Sequence, residues 1–222
     1  MKSKNAGLNE SFMPEDNSKK APPFKKRAGE ILFWLALLTL AAVMLRFGYL
    51  VFMRAAYPLK YRDLVIPLAR EHGFEPSLIF AIIHTESGFD PNAVSRKNAI
   101  GLMQITEDTF KWVQSRTSER ESLSVEKLYE PKTNIEYGIK VLALLREEFS
   151  DTGTMLAAYN AGIGNVRRWL KDKSYSEDGI SLKSIPIKET SGYVEKVPAA
   201  KRTYEKIYRK QLTGGDRHVK TE

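Results

Sequence analysis

In the stretch AIIHTESGFDP, residues 81–91, a carboxylate stands where a core residue belongs. Ile79, Ile82 and Ile83 are spaced at i, i+3 and i+4, one apolar face of a helix. The next position on that face, i+7, is Glu86, just before a helix-ending Gly88. A carboxylate that continues an apolar stripe loses solvation, and this raises its pKa. The negative end of the helix dipole in the last turn also disfavours the charged form. An acid kept protonated near neutral pH can give a proton to a leaving group as a general acid. The structural alternative is a cap on a neighbouring helix or an ion pair with an arginine. His84 lies off this face and reads as structural or exposed. The chain has three histidines and no cysteine, so a disulfide framework and a thiolate metal site are both excluded. No metal and no cofactor is expected.

Glu86 needs a helix to hold it and others to wall it in. Pro76 suits a first helical position, which opens a helix ending at Ser87. Ahead of it, YRDLVIPLAREHGF reads as a helix with Leu64, Ile66, Leu68 and Ala69 inward, interrupted by Pro67 and stopped at Gly73. Residues 90–105 are irregular, punctuated by Pro91, Asn98 and Gly101. A helix restarts with Thr106 or Asp108 as its cap. The strongest helix opens at Pro131 and carries a stripe of Ile135, Ile139, Leu142 and Leu145. TGTMLAAYNAGIGNVRRWL reads as a helix broken at Gly162 and Gly164, then a short one, then a polar loop. A last helix covers ETSGYVEKVPAAKRTYEKIYRK, bent at Pro198. Strands are few, so the fold expected is mainly α.

The chain has 222 residues, 42% hydrophobic and 28% charged, which is globular composition with room for one domain and appendages. Its net charge of +8 favours anionic partners such as nucleic acid, acidic lipid or an anionic cell wall. The positive charge shows no stripe with interleaved aromatics, so no nucleic-acid partner is expected. Residues 1–30 read as a disordered basic tail. Residues 31–53 are apolar except for Arg46 and Thr39, and as a helix they would cross the roughly 30 Å hydrocarbon core of a bilayer. The basic cluster Lys25, Lys26 and Arg27 ahead of them predicts an uncleaved signal-anchor with a cytoplasmic N-terminus and the rest on the extracytoplasmic side. The competing reading is a signal peptide cut near Ala42. One globular domain at 57–210 follows, then a disordered tail at 211–222.

Five short motifs lie in order along that domain: ESGFDPNAVS, GLMQI, NIEYG, AYNAGIGNV and IPIKETSGYVEKV. Together they resemble the catalytic domain of the soluble lytic transglycosylase (SLT) family, which has a lysozyme-like fold with minimal sheet. The resemblance implies that Glu86 is the sole catalytic acid/base. It implies cleavage of the β-1,4 bond between N-acetylmuramic acid and N-acetylglucosamine in peptidoglycan, with closure of a 1,6-anhydro ring. Substrate contacts carry over to Ser95, Met103, Gln104, Tyr159, Asn160, Glu189 and Tyr193. From the residues alone, Met103 also fits a core position and Gln104 a loop amide bonded to backbone. Asn160 also fits a turn, and Tyr193 the core.

This chain departs from the family in three places. Asn98 stands at a usual Gly, Ile163 at a usual Pro, and Ser191 where many members carry Arg. Two other readings compete with the lytic transglycosylase. One is a hydrolysing muramidase of the same fold that uses Asp90, Glu107 or Asp108 to position water. The other is a catalytically silent wall-binding module.

Overall fold

The computed structural model describes residues 24–116 and 123–213, with side chains from Ala28 onward. The chain divides into two units, residues 1–49 and 50–222. In the first unit the described residues are helical, part of α1 (Phe24–Ala56). Its apolar side chains are exposed, Leu32 at 67% and Leu45 at 75%. Residues 28–56 are long and apolar enough to cross a membrane. The helix is longer than the expected span at both ends, and residues 24–30, assigned above to the tail, are helical. The tail at 1–23, the Lys25, Lys26 and Arg27 side chains, and residues 214–222 lie outside what is described.

The second unit is built from helices. Among the described residues, strand pairing is limited to two isolated bridges, Val94 with Ile100 and Ile100 with Ile105. The mainly α class is as expected. Helix α2 (Arg62–Glu71) runs through Pro67 without a break, with the proline on its exposed side. Its fully buried residues are Val65 and Ala69, while Leu64, Ile66 and Leu68 are only half-buried. Gly73 closes the connection with a φ of 68°.

Helix α3 (Pro76–Ser87) is the centre of the unit, with every residue from Pro76 to Ile83 buried. A helix apolar all round belongs inside a core and not on its surface. Each of Ile79, Ile82 and Ile83 is completely buried, worth about 1.5–3 kcal/mol apiece. α3 packs most extensively against α8 (Lys188–Thr213). α4 (Glu107–Arg116) starts after Thr106, whose Oγ1 accepts from the Thr109 N–H at 3.2 Å. Thr106 is therefore the cap, not Asp108.

α5 (Pro131–Glu148) has Pro131 in its first turn and buries Ile135, Ile139, Leu142 and Leu145, as its stripe predicts. α6 (Thr152–Ala161) is capped by Asp151, whose carboxylate accepts from the Thr154 N–H. The chain then breaks only at Gly162, with φ of 88°, and α7 (Ile163–Lys171) continues through Gly164. α8 stays helical through Pro198. Its departure from helical geometry is at Tyr208, φ −122° and ψ 22°. There the Tyr208 hydroxyl donates to the Tyr57 carbonyl at 2.8 Å, and the Tyr204 hydroxyl donates to that of Pro58 at 3.2 Å.

Candidate active site

The last turn of α3 opens into a cavity of about 490 Å³, and Glu86 is in its wall. Gly88 ends the helix in the left-handed region at φ 60°, and Phe89 follows at φ 68°. A left-handed phenylalanine is strained backbone, and here burial against Phe80 holds it in place. His84 stacks on Tyr57 with ring centroids 4.7 Å apart, and burial pushes its pKa down, so it is a neutral packing residue.

Glu86 makes no ion pair among the described residues, which removes its structural alternative of pairing with an arginine. Burial raises its pKa from 4.5 to about 7; the approach of the Tyr193 hydroxyl opposes the shift and the charge of Glu189 adds to it. Tyr193 comes from α8 and is buried, and its hydroxyl forms no hydrogen bond of good geometry. Its relation to Glu86 is thus a close approach and not a formed bond. Burial, then the nearby carboxyl of Glu86, hold the Tyr193 phenol well above its ordinary pKa. It stays neutral, with a proton to donate.

The second wall is the irregular segment 93–105. Ser95 Oγ accepts from the N–H groups of Lys97 and Ala99, so this residue ties its own turn while lining the cavity. Asn98 sits at φ 56° in that turn, a conformation Asn tolerates where Gly is usual. Gln104 also lines the cavity, at φ 50°. Its Nε2 donates to the carbonyls of Ala93 at 3.1 Å and Gly101 at 2.9 Å, while Oε1 has no partner among the described residues. Gln104 is therefore a loop clasp with one acceptor left over.

Met103 does not line the cavity. It is completely buried under α5, where a Cβ on Gly138 would collide with it. Its backbone does bear on the site: its carbonyl accepts from the Tyr159 hydroxyl at 2.8 Å. Tyr159 thus spends its proton on the loop and not on Glu86, although its ring side lines the cavity. Asn160 lines it too, with Oδ1 accepting from Thr190 Oγ1 at 2.7 Å, which joins α6 to α8. Glu189 is at the start of α8 and lies 4.0 Å from Lys97 Nζ. Asp90, Glu107 and Asp108, the acids of the hydrolytic reading, do not line the cavity.

Several positions that hold the site had no role assigned from sequence. Ser87 Oγ donates to the Leu102 carbonyl at 2.9 Å, pinning the segment to α3 directly beside Glu86. Asn134 is buried and makes three bonds: Nδ2 to the carbonyls of Ile100 and Leu128, and Oδ1 from the Met103 N–H. Gly101, at φ 78°, passes so close that a Cβ would lie 2.6 Å from the Leu128 carbonyl and strike the Asn134 amide. The signal for these was present in the motifs ESGFD, GLMQI and NIEYG. Arg96 and Lys97 also line the cavity and carried no motif signal.

Residues 63–181 match the family described as the transglycosylase SLT domain. The soluble lytic murein transglycosylase of Salmonella typhimurium is 36% identical over 69% of this chain and 23% of its own length. The membrane-bound lytic murein transglycosylase C of Haemophilus ducreyi is 34% identical over 67% of this chain and 46% of its own. A solved structure of lytic transglycosylase Slt from Pseudomonas aeruginosa, an inactive glutamate-to-glutamine mutant, superposes with a TM-score of 0.60. It is 32% identical and covers 68% of this chain and 24% of its own. The chain therefore spans between about a quarter and a half of the length of these relatives. With more than half of its residues inside the matched domain, the chain belongs to the transglycosylase SLT domain family.

Proposed function

We propose that this chain is a peptidoglycan lytic transglycosylase with Glu86 as its single acid/base. The observation that carries the reading is a desolvated carboxyl in a cleft wall, raised to about 7 and without an ion pair among the described residues. Protonated Glu86 gives its proton to the glycosidic oxygen as the bond from C1 of N-acetylmuramic acid breaks. The resulting carboxylate takes the proton of the C6 hydroxyl as O6 attacks C1. A 1,6-anhydro ring closes, Glu86 is protonated again, and no water is consumed. Attack from within the substrate needs no second carboxylate to hold a water. Gln104 Oε1 and Asn160 would meet the sugar, with Tyr193 poised over the Glu86 carboxylate when it forms.

Among the described lining residues Glu189 is the other carboxylate, and it is the one a hydrolytic reaction would use to hold water. Mass spectrometry of products from purified peptidoglycan separates the two: anhydro ends for the lytic reaction, reducing ends for hydrolysis. Glu86→Gln keeps the shape of the side chain and can neither give nor take the proton. It should fold normally and lose anhydro-product release by ~10⁴ or more, the upper end of general acid/base effects. Near-normal release from this variant would remove Glu86 from the chemistry.

Membrane anchoring through residues 28–56 is part of the same reading, supported by their length and apolarity and by the membrane-bound relative. The basic cluster before them argues for a cytoplasmic N-terminus and an extracytoplasmic cleft. Fractionation should find the full-length chain in the membrane; a soluble form beginning near Ala42 would refute the anchor.

A further inference from the structure

The turn at 95–99 brings two cations into the cleft that the proton chemistry does not use. Arg96 and Lys97 both line the cavity. The turn that presents them is built firmly, with Ser95 Oγ accepting two backbone N–H groups and the Ser95 N–H donating to the Ala99 carbonyl at 2.9 Å. Arg96 is exposed and has neither a hydrogen bond nor an ion pair among the described residues. Lys97 meets Glu189 at 4.0 Å with both side chains at least 70% exposed, a pairing weak enough to exchange for another anion. α8 contributes only the anionic Glu189 to the lining, so the positive charge of the cleft is concentrated on this one turn.

An unpaired guanidinium is a fork shaped for carboxylate. On the peptidoglycan reading, on which this step rests, the sugars themselves offer no anion. N-acetylglucosamine is neutral, and the lactyl carboxyl of N-acetylmuramic acid is tied up as an amide when it carries a peptide. The anions of the polymer are the free carboxylates of those peptide stems. We propose that Arg96, with Lys97 beside it, binds a stem carboxylate on the muramic acid seated next to Glu86. The cleft then reads the peptide as well as the glycan.

Binding to the full chain carrying Glu86→Gln tests this without cleavage. The ligands are glycan strands with peptide stems and the same strands with the stem carboxylates converted to neutral amides. Adding Arg96→Gln should weaken binding of stem-bearing strands by about tenfold, or about 1.4 kcal/mol. Adding Lys97→Gln as well should weaken it further. Strands with amidated stems should bind these variants as they bind the Glu86→Gln parent. The tenfold difference should shrink as salt is raised. Arg96 has no partner to lose among the described residues, so its replacement does not threaten the fold. Equal weakening on both strands, or none on either, overturns the stem-binding role. Failure of the parent to bind either strand overturns the peptidoglycan reading itself, and the role of Arg96 with it.

Discussion

Helix α3 and the segment 93–105 meet at the cleft and are held there by different forces. α3 is regular and buried over its first two turns, and apolar packing is what takes Glu86 out of water at its end. The segment has almost no regular structure and is held by polar clasps: Ser87 from α3, Asn134 from α5 and Tyr159 from α6, each bonded to its backbone. The two regions divide the work. Burial on the helix sets the proton affinity of the acid, and hydrogen bonds around the segment set the shape of the space in front of it. Damage to one should leave the other largely in place.

Asn134→Ala should break the second half of that division most strongly. It removes three buried bonds at roughly 1 kcal/mol each, so a loss of about 3 kcal/mol is expected in urea unfolding. Activity should fall as well, while the alkaline limb of the pH–rate profile stays where it is. A limb that moved with this substitution would merge the two halves. Tyr159→Phe removes a single bond, to the Met103 carbonyl, and should cost about 1 kcal/mol of stability with the same unmoved limb.

Tyr193→Phe is the smallest change and probes the first half. Its hydroxyl has no bond of good geometry to lose, so stability should change by only a few tenths of a kcal/mol. The hydroxyl opposes the rise of the Glu86 pKa, so its removal should push that pKa higher. Only the protonated acid starts the reaction, so the alkaline limb should move to higher pH. A shift to lower pH would contradict the placement of Tyr193 against Glu86.

The helical half of this arrangement was legible in the sequence because a helix writes its burial as periodicity. The isoleucines at 79, 82 and 83 pointed to a core face, and Glu86 on that face pointed to a desolvated acid. The segment was legible only as motifs. Asn134 and Gly138 were visible in NIEYG and Gly101 in GLMQI, but which backbone atoms they serve depends on tertiary contacts, Asn134 bonding Met103 across 31 residues and Ile100 across 34. Tyr159 was expected as a substrate contact; it lines the cavity, and its hydroxyl also donates to a carbonyl on the segment, a bond its type did not announce. Met103 fitted either the substrate or the core by its type and is core, because residue type does not say which way a loop turns. A bend in α8 was expected at Pro198; its departure from helical geometry is at Tyr208, whose hydroxyl bonds the Tyr57 carbonyl.

The central claim is that packing holds Glu86 protonated near neutral pH, and its own titration tests that most directly. Infrared difference spectra of the carboxyl band, wild type against Glu86→Gln, would follow this one group across pH 3 to 9. The account predicts a midpoint near 7, with the protonated form dominant below it. A midpoint near 4.5, the value of a solvated glutamate, would mean that the cleft does not desolvate the acid and would contradict the account.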